Sequence, residues 1–149
     1  MERGGVAFFE KGRSYTRQQI HEALGGSRRE ALPTKGGNVV CACLTRRMNP
    51  RAPDEIVIGG AERALRRARS FAASGAAVPV FVRARRGGWE YAGERRVRSV
   101  IEEPGAVLSL VAEGAPADAA LALLLEEVPW TPSAAVKSLA DPSPAGAGV

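Results

Sequence analysis

The chain has 149 residues, of which 45% are apolar and 25% are charged, and its formal net charge is +5. A chain of this size can bury one real core but is too small for two comfortable ones. No run approaches the roughly 18 to 20 apolar residues of a membrane span, and no signal-peptide core follows the first residues. We therefore expect one cytoplasmic domain with no membrane partner.

The positive charge is concentrated in the first two thirds of the chain. Residues 1–100 contain 20 Lys and Arg against 9 Asp and Glu, whereas residues 101–149 contain 1 against 7. This asymmetry favours a polyanionic partner, above all nucleic acid, although basic charge can also serve solubility alone.

The first predicted element is a short helix. Thr16 has N-cap chemistry, Gln19 follows three residues later, and apolar residues continue at helical spacing until Gly25. We therefore predict a helix over 16–24. His21, the only histidine, falls in it. Because no second histidine or paired acid stands at ligand spacing, we interpret it as solvent-facing or cap-proximal, not as a catalytic base or metal ligand.

A polar loop follows over residues 27–37, where a proline and two glycines interrupt any regular element. Basic loops of this kind often hold phosphates, but these glycines lack the spacing of either nucleotide-binding motif. We therefore predict no nucleotide cofactor. The basic residues of the loop are Arg28, Arg29 and Lys35.

Residues 38–45 are predicted to form a central strand, because they are apolar on both faces. Cys41 and Cys43 are the only cysteines and alternate onto one face of this strand. We interpret them as reduced core residues rather than as a redox or metal pair. The strand ends in Arg46 and Arg47.

Two prolines make residues 48–55 a rigid connection with no regular hydrogen-bonding role. A strand over 56–58 comes next. Over 61–74 an apolar stripe at helical spacing predicts an amphipathic helix. The outer face of this helix is basic and carries Arg63, Arg66 and Arg67.

Residues 78–93 are predicted to form a β-hairpin about a central Gly-Gly pair, since glycine supplies the positive φ of tight turns. A two-residue turn would put Trp89 and Tyr91 on the aliphatic, inward side as core or cavity-lining residues. Arg83 and Arg85 would then lie outside. A bulge or a longer loop would reverse this assignment.

The last third of the chain is predicted to contain a strand over 106–111 and an Ala/Leu helix over 116–128. We expect one domain over 1–128. The Pro-, Ala- and Gly-rich tail, 129–149, is predicted to be at least partly disordered. Strands mixed with two or three helices, without regular β-α-β alternation, indicate an α+β fold with a strongly bent sheet or small barrel.

The sequence contains no recognisable set of catalytic residues. An enzyme would need an activated nucleophile, a poised acid–base pair or a metal cluster, and a single histidine rules out the histidine–metal motif of HNH nucleases. The acidic pairs Glu90 with Glu94 and Asp54 with Glu55 are most simply salt-bridge partners of the many arginines. We predict no catalytic residue, no metal and no cofactor.

Several separated motifs agree with one known family. They are Tyr15-Thr16-Arg17, Leu24-Gly25-Gly26, Leu32-Pro33, Asn49-Pro50 with Ala52-Pro53, Ile58-Gly59, Pro79-Val80-Phe81-Val82, and Trp89-Glu90-Tyr91 with Gly93. Over residues 8–112 this order resembles the SRA-like modified-DNA-reading domain that is joined to HNH nuclease domains in actinomycete type IV restriction endonucleases.

The resemblance implies a PUA-like fold, a curved β-barrel flanked by helices, that reads 5-methyl- or 5-hydroxymethylcytosine flipped out of duplex DNA. Such reading needs an aromatic stack, polar groups at the Watson–Crick edge and basic contacts along the phosphates. It implies Tyr15, Asn49, Trp89 and Tyr91 for the base pocket. It implies phosphate contacts from Arg28, Arg29, Lys35, Arg46, Arg47, Arg63, Arg66, Arg67, Arg83 and Arg85.

The chain departs from the long members of this family because it carries no nuclease domain. It would be a stand-alone reader in modification-dependent restriction, or one that relies on a separate nuclease subunit. Two other hypotheses stay open, namely an RNA-binding PUA-like module and a small enzyme acting on nucleic acid or nucleotides.

Overall fold

The computed structural model describes residues 9–129. It contains three helices and eight strands within that range. Along the chain they are β1 (Ser14–Tyr15), α1 (Arg17–Leu24), β2 (Thr34–Lys35), β3 (Asn38–Val39), β4 (Ala42–Leu44), β5 (Glu55–Gly59), α2 (Glu62–Ser74), β6 (Val78–Arg83), β7 (Trp89–Ile101), α3 (Pro104–Ala112) and β8 (Ala119–Val128).

One six-stranded sheet organises these elements. Its strands follow the order β4, β6, β7, β8, β5, and β1 pairs with the start of β7. Only β4 and β6 run parallel; the other neighbours are antiparallel. Register shifts in the pairings of β7 with β6 and β8 bend the strands. The sheet thus curls into a half-barrel with three helices, which confirms the predicted α+β fold.

The first face of the sheet, called here the α2 face, carries the main core. Ala68 and Phe71 of α2 pack there against Val80 of β6 and Ile56 of β5. Because successive strand residues point to opposite faces, the intervening side chains of β5 and β6 belong to the other side. The α2 face therefore takes Ile56 and Ile58 but not Glu55.

The opposite face is covered by two helices over different strands. Ile20 of α1 packs against Cys43 and Phe81 above β4 and β6. Leu110 of α3 packs against Ala122 of β8. The two cysteines are buried free thiols in the α1 cluster, as predicted.

Helix α1 begins at the predicted capping box. Thr16 Oγ1 accepts the Gln19 N–H at 3.0 Å, and Gln19 Oε1 accepts the Thr16 N–H at 2.9 Å. The prediction for α1 is confirmed, as are those for β5 and α2. His21 is buried, so a solvent-facing position was wrong; its Nδ1 lies 2.8 Å from the C-cap carbonyl of Gly25, close to the cap as predicted.

The two C-terminal elements are the reverse of the prediction. Residues 106–111 belong to helix α3, and residues 119–128 form strand β8. Glu103 caps α3, because its Oε1 accepts the Ala106 N–H at 2.9 Å, and Pro104 suits the first turn. β8 lies between β7 and β5, so ladder hydrogen bonds on both sides outweigh the helix propensity of its Ala and Leu residues.

The β6–β7 hairpin has a longer turn than predicted. Arg83 pairs with Trp89 and Phe81 with Tyr91, which leaves residues 84–88 as the loop. The predicted two-residue turn is therefore wrong. The register differs by an odd number of positions, which moves every side chain of the second strand to the other face. Trp89 and Tyr91 are buried as predicted, but beside Phe81 on the α1 side.

Among residues 9–129, no helix has both the length and the apolar character needed to cross a lipid bilayer. Most of the predicted tail, residues 130–149, lies outside the described residues.

Candidate nucleic-acid interface

A cavity of about 610 Å³ opens beside the start of β5. Ile56 and Ile58 point into the α2 core, whereas Val57 packs in the α3 cluster, so Glu55 also projects from the α3 side of the sheet. The cavity is lined by Arg51, Ala52, Asp54, Glu55, Arg98 and Leu124, with Leu125 at its edge. The lining combines two guanidinium groups with two carboxyl groups.

Glu55 is the residue of this cavity whose carboxyl lacks a hydrogen-bond partner. Its side chain is 1% exposed, and neither carboxyl oxygen has a hydrogen-bond partner within the described part of the chain. Nη1 of Arg51 lies 3.7 Å from Oε2, beyond ordinary hydrogen-bond distance. Burial raises the pKa of the Glu55 carboxyl; the Arg51 guanidinium opposes this rise and the Glu113 carboxylate adds to it. A buried polar group without a partner is costly, so this carboxyl would gain from a ligand's hydrogen bonds.

The chain leading into Glu55 is held from both sides. Arg95, 8% exposed, donates from Nη1 to Oδ1 of Asp54 at 2.8 Å, which confirms the predicted salt-bridge role of Asp54. The Asp54 carbonyl accepts the Leu125 N–H at 2.8 Å. On the other side, Arg51 donates from Nη2 to Oε1 of Glu113 at 2.5 Å. The carboxyl of Glu55 therefore stands on a fixed backbone.

Asn49 lies in the same connection, but its amide is already engaged. Nδ2 donates to the Thr45 carbonyl at 3.0 Å, and Oδ1 accepts the Val57 N–H at 2.8 Å. The side chain is buried. Asn49 thus satisfies a backbone N–H of β5, whereas Glu55, six residues later, is among the residues that line the cavity.

The three aromatic residues predicted for a base pocket lie together on the same face of the sheet as Glu55, but above β4, β6 and the start of β7 instead of β5 and β8. Trp89, 9% exposed, has the guanidinium carbons of Arg17 and Arg83 at 5.0 and 5.4 Å from its ring centroid. Tyr91 donates its hydroxyl to Glu94 at 2.7 Å. Tyr15 packs at the edge of this cluster. These rings belong to the packed cluster under α1, and the Glu55 cavity has no aromatic lining residue.

The ten basic residues predicted to contact phosphates are spread over four segments. Nine of them are exposed and Arg67 is half-buried. They occupy the loop and hairpin after α1 (Arg28, Arg29, Lys35), the turn after β4 (Arg46, Arg47), the face of α2 (Arg63, Arg66, Arg67) and the β6–β7 hairpin (Arg83, Arg85). Of these, the turn after β4 leads directly into the connection that carries Arg51.

Sequence reasoning assigned Glu55 to a salt bridge, which its 3.7 Å ion pair with Arg51 confirms, but it missed Glu55 as a candidate site residue. The signal was present, because a single acid begins an otherwise apolar strand directly after a proline-rich connection. An acid at that register must be either paired or aimed at a ligand. Arg98 was missed as well, because it lies at the register shift of β7, which no local sequence pattern predicts.

Comparison with known families decides the classification. A family model described as "Domain of unknown function (DUF6697)" matches residues 14–104, more than half of the chain. The chain belongs to this family. Comparison with curated proteins finds no significant sequence match.

Solved structures show which fold this DUF6697 domain has. The SRA domain of SUVH5 in complex with hemimethylated CG DNA superposes with a TM-score of 0.57 at 12% identity, covering 85% of this chain and 94% of that chain. The same domain bound to fully hydroxymethylated CG DNA gives a TM-score of 0.55 at 14% identity, with the same coverage. The DUF6697 domain therefore has the SRA/PUA-like fold predicted from the motifs.

Proposed function

We propose that this domain reads a modified cytosine in duplex DNA by taking the flipped base into the Glu55 cavity. The observation that carries the proposal is that Glu55, whose buried carboxyl has no hydrogen-bond partner within the described residues, is among the residues that line that cavity. Support for the ligand comes from the fold, since SRA domains of SUVH5 with the same fold were solved with methylated and hydroxymethylated DNA.

The chemistry of Glu55 suits the Watson–Crick edge of cytosine. That edge presents an N4 amino donor beside the N3 acceptor. A protonated carboxylic acid presents one O–H donor beside one carbonyl acceptor, so it matches both positions at once. Because burial raises the pKa of Glu55, the protonated form is favoured compared with an exposed carboxyl.

Two arginines of the cavity can provide the stacking surface that aromatic rings provide in other base pockets. Arg51 and Arg98 both line the cavity, and a guanidinium plane can stack on a base or contact a phosphate. Arg46 and Arg47 are exposed on the turn that enters the same connection. In this proposal they hold the phosphates that flank the flipped nucleotide, while Glu55 reads its edge.

Competition binding with one duplex sequence tests the proposal. The central cytosine would be unmodified, 5-methylated, 5-hydroxymethylated or glucosylated, with a matching RNA as a further competitor. We expect tighter binding of at least one modified duplex. Glu55→Ala should remove about 1 to 3 kcal/mol of binding free energy for that duplex, the usual value of one bidentate base contact. Equal affinity for every duplex, or preference for the RNA, contradicts the proposal.

Two control variants make the result specific. Glu55→Gln keeps one donor and one acceptor at the same position, so it should retain most of the affinity that Glu55→Ala loses. Glu22→Ala removes an exposed carboxyl from α1, which packs above β4 and β6 and contributes no residue to the cavity, and should leave binding unchanged. If Glu22→Ala weakens binding as much as Glu55→Ala, the effect comes from net charge and not from base reading.

A role in modification-dependent restriction goes with this proposal and is supported by the motif resemblance to readers joined to HNH nucleases. The domain would then deliver a separate nuclease subunit to modified DNA. Co-expression with a neighbouring nuclease gene should restrict a phage with modified cytosine, and Glu55→Ala should abolish that restriction.

A further inference from the structure

A second cavity, of about 280 Å³, lies between the exposed face of α2 and the β2–β3 hairpin. Three arginines and two hydroxyl side chains line it, and none of its lining residues is acidic. The lining consists of Arg63, Arg66, Arg67, Ser70, Thr34, Val39 and the turn residue Gly37. The four helix residues follow the spacing i, i+3, i+4, i+7, so they form one continuous stripe along α2.

One arginine of this groove is fixed and two are loosely held. Arg67, with its side chain 18% exposed, lies 2.9 Å from Oε1 of Glu30. Arg63 stands 3.6 Å from the other oxygen of Glu30, and Arg66 stands 3.5 Å from Glu62. The side chains of Arg63 and Arg66 are 75% and 70% exposed. Exposed ion pairs of this kind are weak, so both guanidinium groups can turn to a stronger anion.

The groove is separate from the Glu55 cavity. Ala68 and Phe71 bury the inner side of α2 in the core on the α2 face. Glu55 projects from the opposite face of β5, beside α3. A duplex that inserts a base beside Glu55 therefore meets the other side of the sheet.

We propose that the groove between α2 and the β2–β3 hairpin is a phosphate-binding site independent of the base cavity. Arg63 and Arg66 bind the phosphate oxygens by charge-assisted hydrogen bonds, with Arg67 as a fixed positive charge beneath them. The hydroxyls of Thr34 and Ser70 supply further donors at the two walls. The phosphate belongs either to a free nucleotide or to the backbone of a second nucleic-acid segment.

Amide NMR titration of the full chain tests the site directly. The added probes would be inorganic phosphate, a nucleoside 5′-monophosphate and a short single-stranded oligonucleotide. We expect saturable shifts of the amides of Gly37, Thr34 and Ser70. Similar affinity for the monophosphate and the oligonucleotide would assign the site to a free nucleotide, whereas tighter binding of the oligonucleotide would assign it to a second strand. Absence of saturable shifts with all three probes overturns the proposal.

Matched variants on α2 separate a built site from general positive charge. Arg63→Gln with Arg66→Gln should weaken phosphate binding by about tenfold or more, because two charge-assisted contacts are lost. Arg69→Gln, on the same helix but paired with Glu102 outside the groove, should change it less than about twofold. Equal weakening by Arg69→Gln would overturn the proposal. The double variant should leave the binding of a modified duplex at Glu55 unaffected. The two proposals can therefore be tested independently.

Discussion

Arg17 donates its Nε–H to Nε2 of His21 across 2.9 Å. A guanidinium can only donate, so Nε2 is the accepting nitrogen and Nδ1 carries the proton that it shares with the Gly25 carbonyl. His21 is therefore neutral in the folded chain. The same guanidinium donates from Nη2 to the carbonyls of Ser27 and Glu30 at 3.1 and 2.8 Å, which ties α1 to the following loop.

This arrangement predicts a loss of stability at mildly acidic pH. Burial lowers the pKa of His21, the Gly25 hydrogen bond opposes this, and the charges of Arg17 and Arg28 lower it further. The unfolded chain takes up a proton near pH 6.5, whereas the folded chain resists it. The free energy of unfolding should therefore fall as pH decreases from about 6.5 towards the lowered pKa.

Urea unfolding between pH 5 and 7.5 measures this slope. His21→Gln removes the only histidine, so the variant should show a flatter dependence in that range. An identical slope in both proteins would assign the dependence to other groups.

Binding at the Glu55 cavity should weaken as pH rises. In the proposed complex the protonated carboxyl donates to cytosine N3, whereas the ionised carboxylate would face that lone pair without a proton. Because the folded pKa of Glu55 lies above its ordinary value, the loss should occur at higher pH than for an exposed glutamate. The groups that face it are Arg51, Asp54, Arg98 and Glu113. Affinity for the preferred duplex would be measured from pH 5 to 8, with Glu55→Gln as the non-titrating control. Affinity that rises with pH in the native chain alone would contradict this edge-reading scheme.

Asn49→Ala should destabilise the fold. The substitution removes two hydrogen bonds and leaves the Val57 N–H without its acceptor next to β5. We expect a decrease of about 1 to 3 kcal/mol in the free energy of unfolding. Asn38→Ala, at an exposed position of β3, is the matched control and should stay within about 0.5 kcal/mol. A variant at Asn49 as stable as the native chain would show that the amide is free for another role.

Gly26→Ala should destabilise the chain more than Gly36→Ala. Both glycines have positive φ, +85° and +61°, so each substitution meets the left-handed backbone cost of about 1 to 2 kcal/mol. At Gly26 a Cβ would also lie 2.7 Å from Cβ of Pro33, while at Gly36 nothing lies within 4 Å. The difference between the two variants in urea unfolding therefore measures the overpacking alone, about 1 to 3 kcal/mol. Equal losses would mean that the loop moves to make room.

Local chemistry predicted the two helices of the first half of the fold well, but the central strand predicted over 38–45 was wrong, because Asn38–Val39 forms β3 in a separate two-stranded sheet and β4 is an edge strand. The capping box of Thr16 and Gln19 and the apolar stripe of α2 are short-range patterns, and both gave the right element at nearly the right bounds. The errors arose where contacts between residues distant in the sequence determine the secondary structure. The Ala- and Leu-rich run of β8 favours a helix by itself, but its neighbours β7 and β5 supply ladder partners that no local pattern contains.

The same limit applies to the candidate site. The sequence indicates a basic α+β domain, and motif order led to the SRA-like fold. It could not give the hairpin register, because a Gly-Gly pair permits both a two-residue turn and the observed loop over 84–88. That register moves Trp89 and Tyr91 away from the α2 face. The sequence also could not show that the carboxyl oxygens of Glu55 lack hydrogen-bond partners, since this depends on Arg51 donating to Glu113 instead.

The separation of the Glu55 cavity from the Trp89 cluster has a practical consequence for engineering. The aromatic cluster that seals α1 onto the sheet shares none of the residues that line the cavity. A combinatorial library at Arg51, Glu55 and Arg98 would therefore vary the lining of the cavity without changing a residue of that aromatic cluster. Under the proposed function, selection from such a library would yield affinity reagents for further modified bases.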